Sequence, residues 1–276
     1  MTQDELIAQI KKKQSFLCVG LDVDLDKMPS HLASSNDSIF EFCQKIIDAT
    51  APYTVAYKPN IAFFEAYGLK GWQALEKTIG YLNLNYPNIF TIADAKRGDI
   101  GNTATRYAKA FFEQLKFDAI TVAPYMGKDS VEPFLAFESH YTILLALTSN
   151  EGAYDFQYHT QEGEALYKKI LRQAQTWEGA EDRLFFVVGA TQAEALADIR
   201  QLAPNTFLLV PGVGAQGGSL DAVAANGLNS RCGLLVNSSR GIIYASHGKD
   251  FEAAAASEAQ KLQEQMKSWL LQKKLI

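Results

Sequence analysis

Short apolar runs recur along the whole chain: residues 16–21 (FLCVGL), 54–58 (TVAYK), 89–94 (IFTIAD), 119–122 (AITV), 141–147 (YTILLAL), 184–189 (LFFVVG), 206–210 (TFLLV) and 233–236 (GLLV). Each is of strand length, rich in β-branched and aromatic residues and apolar on both faces, which predicts parallel strands covered by helices. Between them, segments 39–49, 71–84, 103–115, 130–137, 162–177, 193–201 and 251–271 alternate periodic apolar positions with charges and predict helices. Eight strands, each followed by helix or helix-like sequence, predict an α/β fold of the (β/α)8 TIM-barrel type. A doubly wound sheet fits less well, since no GxGxxG follows the first strand. Neither a composition shift nor a Pro/Gly/Ser linker divides the chain, so one barrel domain over residues 1–276, with N-terminal and C-terminal helices, is expected.

Composition narrows the class. The chain has 276 residues, 47% hydrophobic, with 26 Lys+Arg against 31 Asp+Glu and a formal net charge of -5. That is an ordinary globular balance, and without a Lys/Arg run it speaks against nucleic-acid binding. Cys18, Cys43 and Cys232 are odd in number and widely separated, as expected of reduced core thiols. The N-terminus, MTQDELIAQIKKKQ, lacks the apolar centre of a signal peptide, and no stretch reaches the ~20 apolar residues of a membrane span. A cytoplasmic protein without membrane partners is expected.

In a barrel, chemistry belongs at the C-terminal ends of the strands. Those ends carry Asp22, then Lys58, then Asp94 with Lys96, then Ser149 and Asn150, then PGVGAQGG (211–218), then NSSRG (237–241). The densest cluster is TIADAKRGDIGNT, residues 91–103. Side chains two apart on a strand share a side, so Asp94 and Lys96 should face the mouth together, with Asp99 beyond the Gly98 turn and Lys58 reaching in from the adjacent strand. Arg240 and the glycines at 212, 214, 217 and 218 suit a phosphate dianion, with the loop 212–218 expected to close as a lid. His31, His140, His159 and His247 are scattered and no metal site is expected; Ser238 and Ser239 lack a His/Asp partner for nucleophilic work. Tyr57, Phe63, Phe64 and Tyr67 read as barrel packing or a dimer interface.

The run Asp94-x-Lys96-x-x-Asp99-Ile100-Gly101-x-Thr103 resembles the signature of the orotidine 5'-phosphate decarboxylase family. The resemblance extends through Leu21-Asp22-Val23, Lys58-Pro59-Asn60, Thr148-Ser149-Asn150, Pro211-Gly212-Val213 with Gln216, and Ser239-Arg240-Gly241. Its length and the sequence YKPNIAFF (57–64) are most similar to the longer bacterial branch. The resemblance implies that Lys96 is the general acid protonating the ring carbon after carbon dioxide leaves, flanked by Asp94 and Asp99. It implies that Asp22 and Lys58 hold ribose hydroxyls, that Ser149 reads the pyrimidine, and that Gln216 and Arg240 grip the phosphate. Asp99, Ile100 and Thr103 would reach into the neighbouring subunit's site, making a homodimer obligatory. The substrate implied is orotidine 5'-monophosphate, with no cofactor. In one place the sequence departs from the family pattern: Glu151-Gly152 follows Asn150 where the longer branch has Pro-Gly.

The chemistry fits those roles. Loss of carbon dioxide from a pyrimidine ring leaves a poorly delocalised carbanion, so a fixed cation beside it is the obvious protein resource. A lysine between two aspartates keeps its proton until it is delivered. Two rival readings remain at this level: a metal-dependent sugar-phosphate barrel with an acidic DxK motif, and a catalytically silent phosphate-binding scaffold.

Overall fold

Strands buried on both faces need helices outside and side chains inside, and a closed parallel barrel supplies both. The computed structural model describes residues 1–32, 35–191, 193–213 and 217–276. Among these, eight parallel strands close a barrel: β1 (Leu17–Leu21), β2 (Ala56–Pro59), β3 (Phe90–Arg97), β4 (Ala119–Val122), β5 (Tyr141–Leu147), β6 (Leu184–Val188), β7 (Leu208–Pro211) and β8 (Leu234–Ser238). Each pairs with its sequence neighbour, and β1 closes on β8 with Leu17 opposite Val236. The predicted runs therefore all become strands, two of them with the expected ends and the others with ends displaced by up to three residues.

The helices follow in order: α1 (Gln3–Lys13), α2 (Ser38–Thr50), α3 (Ile61–Glu65), α4 (Gly68–Asn85), α5 (Gly101–Lys109), α6 (Glu132–Leu135), α7 (Ala153–Phe156), α8 (Leu166–Ala174), α9 (Ala180–Arg183), α10 (Ala193–Leu202), α11 (Leu220–Gly227), α12 (Arg240–Ile243) and α13 (Phe251–Gln272). A capping box starts α1, the Thr2 hydroxyl accepting from Glu5 N at 3.2 Å and the Glu5 carboxylate from Thr2 N at 2.7 Å. Three predicted helices are corrected. Segment 103–115 is helical only to Lys109 and continues as a π-helical turn, Ala110–Gln114. Segment 130–137 shrinks to α6 behind a 3-10 turn, Lys128–Ser130. Segment 162–177 opens as a hairpin, Thr160–Gln161 against Glu164–Ala165, because Glu162 and Gly163 take positive φ (54° and 82°) and turn the chain before α8 can begin.

The two ends of the barrel differ. At the N-terminal end Phe90, Tyr141, Phe185 and Phe207 cluster at centroid distances of 4.8–6.3 Å, Tyr141 stacked on Phe185 and the other pairs tilted, and fill the interior. Tyr57 and Phe64 are also fully buried, which is packing rather than a stacking platform. Polar side chains collect at the opposite end. Cys18, Cys43 and Cys232 are buried and unbridged, and burial pushes each thiol up to about 12. Among the described residues no helix is long and apolar enough to cross a membrane.

Candidate active site

A cavity of about 320 Å3 opens at the C-terminal mouth, and Asp22, Lys58, Asp94, Lys96, Ser149 and Arg240 all line it. At its centre is a chain of charge. Lys58 Nζ donates to Asp94 Oδ2 at 2.6 Å, and Lys96 Nζ donates to Asp94 Oδ1 at 2.6 Å. Lys58 is buried by the closed barrel wall, whereas the Lys96 side chain is 52% exposed into the mouth. Burial by itself would lower the Lys58 ammonium, but the carboxylates of Asp94 and Asp22 outweigh it and hold that group above the usual lysine value. Burial would likewise raise the Asp94 carboxyl, but Lys58 and Lys96 reverse the sign and hold it well below the usual carboxylate range. Asp94 is thus a fixed anion and Lys58 a fixed cation at neutral pH.

The position of Lys96 comes from an irregularity in β3. Against β4, Ala93 pairs with Ile120 and Arg97 with Val122, so four residues of β3 span what two residues of β4 span. Within this bulge Lys96 takes φ +48°, a left-handed conformation that costs a non-glycine residue on the order of 1 kcal/mol. Its N–H donates to Thr121 Oγ1 at 2.9 Å, and that hydroxyl donates in turn to Asp94 Oδ1 at 3.2 Å. Backbone and side chain of the lysine therefore both converge on Asp94.

Two buried acceptors in the cavity have no protein partner: Asp22 Oδ1 and Ser149 Oγ. An unpaired buried polar atom costs about 1–3 kcal/mol, and both of these line a cavity open to a ligand. Ser149 sits against Gly189, where a Cβ would lie 2.1 Å from its Oγ; only glycine lets β6 approach there. Gly20 plays the same part beside Ser239, whose Oγ would lie 1.8 Å from a Cβ. The Ser149 loop is clipped from outside: Gln157 Oε1 accepts from Thr148 N at 2.8 Å and Gln157 Nε2 donates to Thr148 Oγ1 at 2.8 Å.

Arg240 opens α12 at the rim, exposed and without an ion pair among the described residues. The neck of the glycine-rich loop is held by Gly218 N donating to Gly212 O at 3.1 Å; Gly214 and Gln216 lie outside the described residues. Asp99, Ile100 and Thr103 are not brought into this cavity. The Asp99 carboxylate accepts from Ile100 N at 2.8 Å, Ile100 is half exposed, and Thr103 is exposed on the first turn of α5. Sequence reasoning passed over Thr121 and Gln157, and it named Asn60, Asn237 and Ser239 without giving them a part in the site. For Asn60, Asn237 and Ser239 the strand-end position was signal enough; Thr121 and Gln157 had none. Among the described residues no three His, Cys, Asp or Glu side chains are grouped as metal ligands.

A model of the orotidine 5'-phosphate decarboxylase / HUMPS family matches residues 15–256. The orotidine 5'-phosphate decarboxylase of Flavobacterium johnsoniae is 64% identical over 266 residues, covering 96% of this chain and 97% of that one. That of Christiangramia forsetii is 62% identical over 270 residues, covering 98% and 99%. Among solved structures, Leishmania donovani OMP decarboxylase matches with a TM-score of 0.84 at 36% identity, covering 98% of both chains. With matches of this extent, and with the motif residues of β2 and β3 gathered in one cavity, the chain belongs to the orotidine 5'-phosphate decarboxylase / HUMPS family.

Proposed function

We propose that this chain decarboxylates orotidine 5'-monophosphate to UMP and carbon dioxide, the last step of de novo pyrimidine nucleotide synthesis, without metal or cofactor. Relatives of that name align over nearly the whole chain, and the observation that carries the reading is the Lys58–Asp94–Lys96 chain in the cavity, with both contacts at 2.6 Å. The bond between C6 and the carboxylate breaks, its electron pair stays on C6, and carbon dioxide departs. Lys96, half exposed and tethered to a fixed anion, stabilises the developing carbanion and delivers its proton to C6. Asp94 positions that ammonium, and Lys58 holds Asp94.

Asp22 takes a ribose hydroxyl and Ser149 the pyrimidine edge, which pairs the two orphaned oxygens. Arg240 grips the phosphate, with Gln216 assigned beside it by family resemblance. Binding energy from the remote phosphate is realised as orientation at C6. Asp99, Ile100 and Thr103 serve the site of a second copy in a homodimer; their surface position and the exposed Ile100, Tyr125 and Met126 fit burial against that copy. Each subunit is one barrel domain, and the dimer works in the cytoplasm.

The test follows loss of orotidine 5'-monophosphate absorbance in EDTA, with Lys96→Ala prepared in parallel. Turnover by the wild type alone is expected. No turnover by a folded wild-type dimer, or turnover that needs Mg2+ and a sugar phosphate, overturns the reading.

A further inference from the structure

Arg97 follows the lysine and has no part in the roles above. Its side chain does not line the cavity. One Nη donates to the Glu65 carboxylate at the end of α3, and the other donates to the Ala95 carbonyl at 3.0 Å. Its guanidinium carbon lies 5.5 Å from the ring centre of Tyr107 on α5 and 5.6 Å from that of Phe111 in the π-helical turn. Its own carbonyl accepts from Ala123 N, just past β4, at 2.8 Å. One residue thereby joins the exits of β2, β3 and β4 to the helix behind them.

The joint lies beside the left-handed Lys96. A left-handed non-glycine residue persists only where its surroundings over-determine it, and the N–H bond to Thr121 is by itself a thin constraint. We infer that Arg97, braced by Glu65, is a positioning residue that holds the β3 bulge so that Lys96 keeps its left-handed backbone and its ammonium stays aimed at the reacting carbon. The inference rests on the reading of Lys96 as proton donor. Arginine suits this geometry: its two Nη atoms serve a carbonyl and a carboxylate while its face packs on rings, which an ammonium cannot do, and its Nε is left buried without a partner. The leverage is large, since a misplacement of about 1 Å at a reacting group can cost on the order of a hundredfold in rate.

Arg97→Lys, Arg97→Met and Glu65→Gln are compared with wild type by steady-state kinetics, by UMP dissociation constant and by amide hydrogen exchange resolved to the segment 94–100. The expected result for Arg97→Lys and Arg97→Met is a kcat at least tenfold lower, a UMP dissociation constant within threefold, and faster exchange confined to that segment. Glu65→Gln should move the same way, by less. Wild-type kcat in folded Arg97→Lys, or unchanged exchange, overturns the inference. So does faster exchange across the whole barrel with loss of UMP binding, since Arg97 would then be a brace of the fold alone. Absence of turnover in the wild type itself sinks the decarboxylase reading instead, and the exchange comparison still decides whether Arg97 holds the bulge.

Discussion

Asp94→Asn removes the one carboxylate that lies between two ammonium groups, and its cost can be worked from where those groups sit. Both Nζ atoms are 2.6 Å from Asp94 oxygens, but the Lys58 side chain is 4% exposed and the Lys96 side chain 52%. After the substitution Lys58 stays buried with the neighbouring Asp22 charge left to compensate it. Removing one partner of a buried pair costs about 3–5 kcal/mol, chiefly because the remaining charge is stranded. Lys96→Met breaks a half-exposed pair and leaves Lys58–Asp94 intact, which is worth at most about 1 kcal/mol. Two substitutions in one cluster, both expected to abolish turnover, should therefore separate in stability by about 2–5 kcal/mol, the difference of those ranges.

The pH dependence carries a sign. Because the folded state holds the Asp94 carboxyl below its ordinary value, its stabilisation is fully present above about pH 4 and is lost as the pH falls through the depressed value. Lys58 is raised, so its contribution is present below its ordinary value of about 10.4 and lost only as the pH rises beyond it. Urea unfolding of wild type, Asp94→Asn and Lys96→Met, read by tryptophan fluorescence, should show a wild-type advantage over Asp94→Asn that is level near neutrality and narrows in acid. An advantage under about 1 kcal/mol at neutral pH, or one that grows in acid, would refute the reasoning, since the pair would then be screened by solvent.

Three further outcomes follow from the proposed roles. Arg240→Ala should raise KM for orotidine 5'-monophosphate and lower kcat by less, with kcat/KM down about 10–100-fold, as expected for loss of charge-assisted bonds to phosphate; unchanged kcat/KM would remove Arg240 from the site. Mixing inactive Lys96→Ala and Asp99→Ala proteins should restore activity through hybrid dimers, and no recovery despite demonstrated subunit exchange would refute the shared site. Gln157→Ala breaks two 2.8 Å bonds that fix the Ser149 loop; it should cost about 2 kcal/mol of stability and raise KM, and unchanged KM would mean that Ser149 is held without the clip.

The strands were legible because parallel strands covered on both sides must be apolar throughout, and each predicted run is one. Asp22, Lys58, Asp94, Lys96, Ser149 and Arg240 were legible because charges and hydroxyls just beyond apolar runs stand at the barrel mouth, although Arg97 there turns outward to Glu65 instead. The bulge was not. Alternation alone puts Asp94 and Lys96 on one side, but their convergence depends on Thr121, a threonine inside an apolar run that nothing in the sequence distinguishes from a packing residue. Gln157 was hidden likewise, because its partner Thr148 meets it only after the chain has turned through α7. Short helices such as α3 and α6 are too brief for a 3.6-residue period to register.

Several departures from what folding alone favours meet at one end of the barrel. A lysine ammonium is buried, a lysine backbone is left-handed, and two oxygens lie buried without partners, all around the same mouth. Each has a cost of about a kilocalorie or more, and each could be relieved by a commoner residue: methionine at 58, glycine at 96, alanine at 22 and 149. The opposite end is filled by Phe90, Tyr141, Phe185 and Phe207, with left-handed Lys116, Ser139 and Cys232 just before β4, β5 and β8. What sets the mouth apart is that its departures share one cavity, and on the proposed reading a ligand would offer hydroxyls to Asp22, an amide edge to Ser149 and a basic carbon to Lys96 there. A silent scaffold that only gripped phosphate through Arg240 would need none of the four, and that is the physical reason for preferring turnover to binding alone.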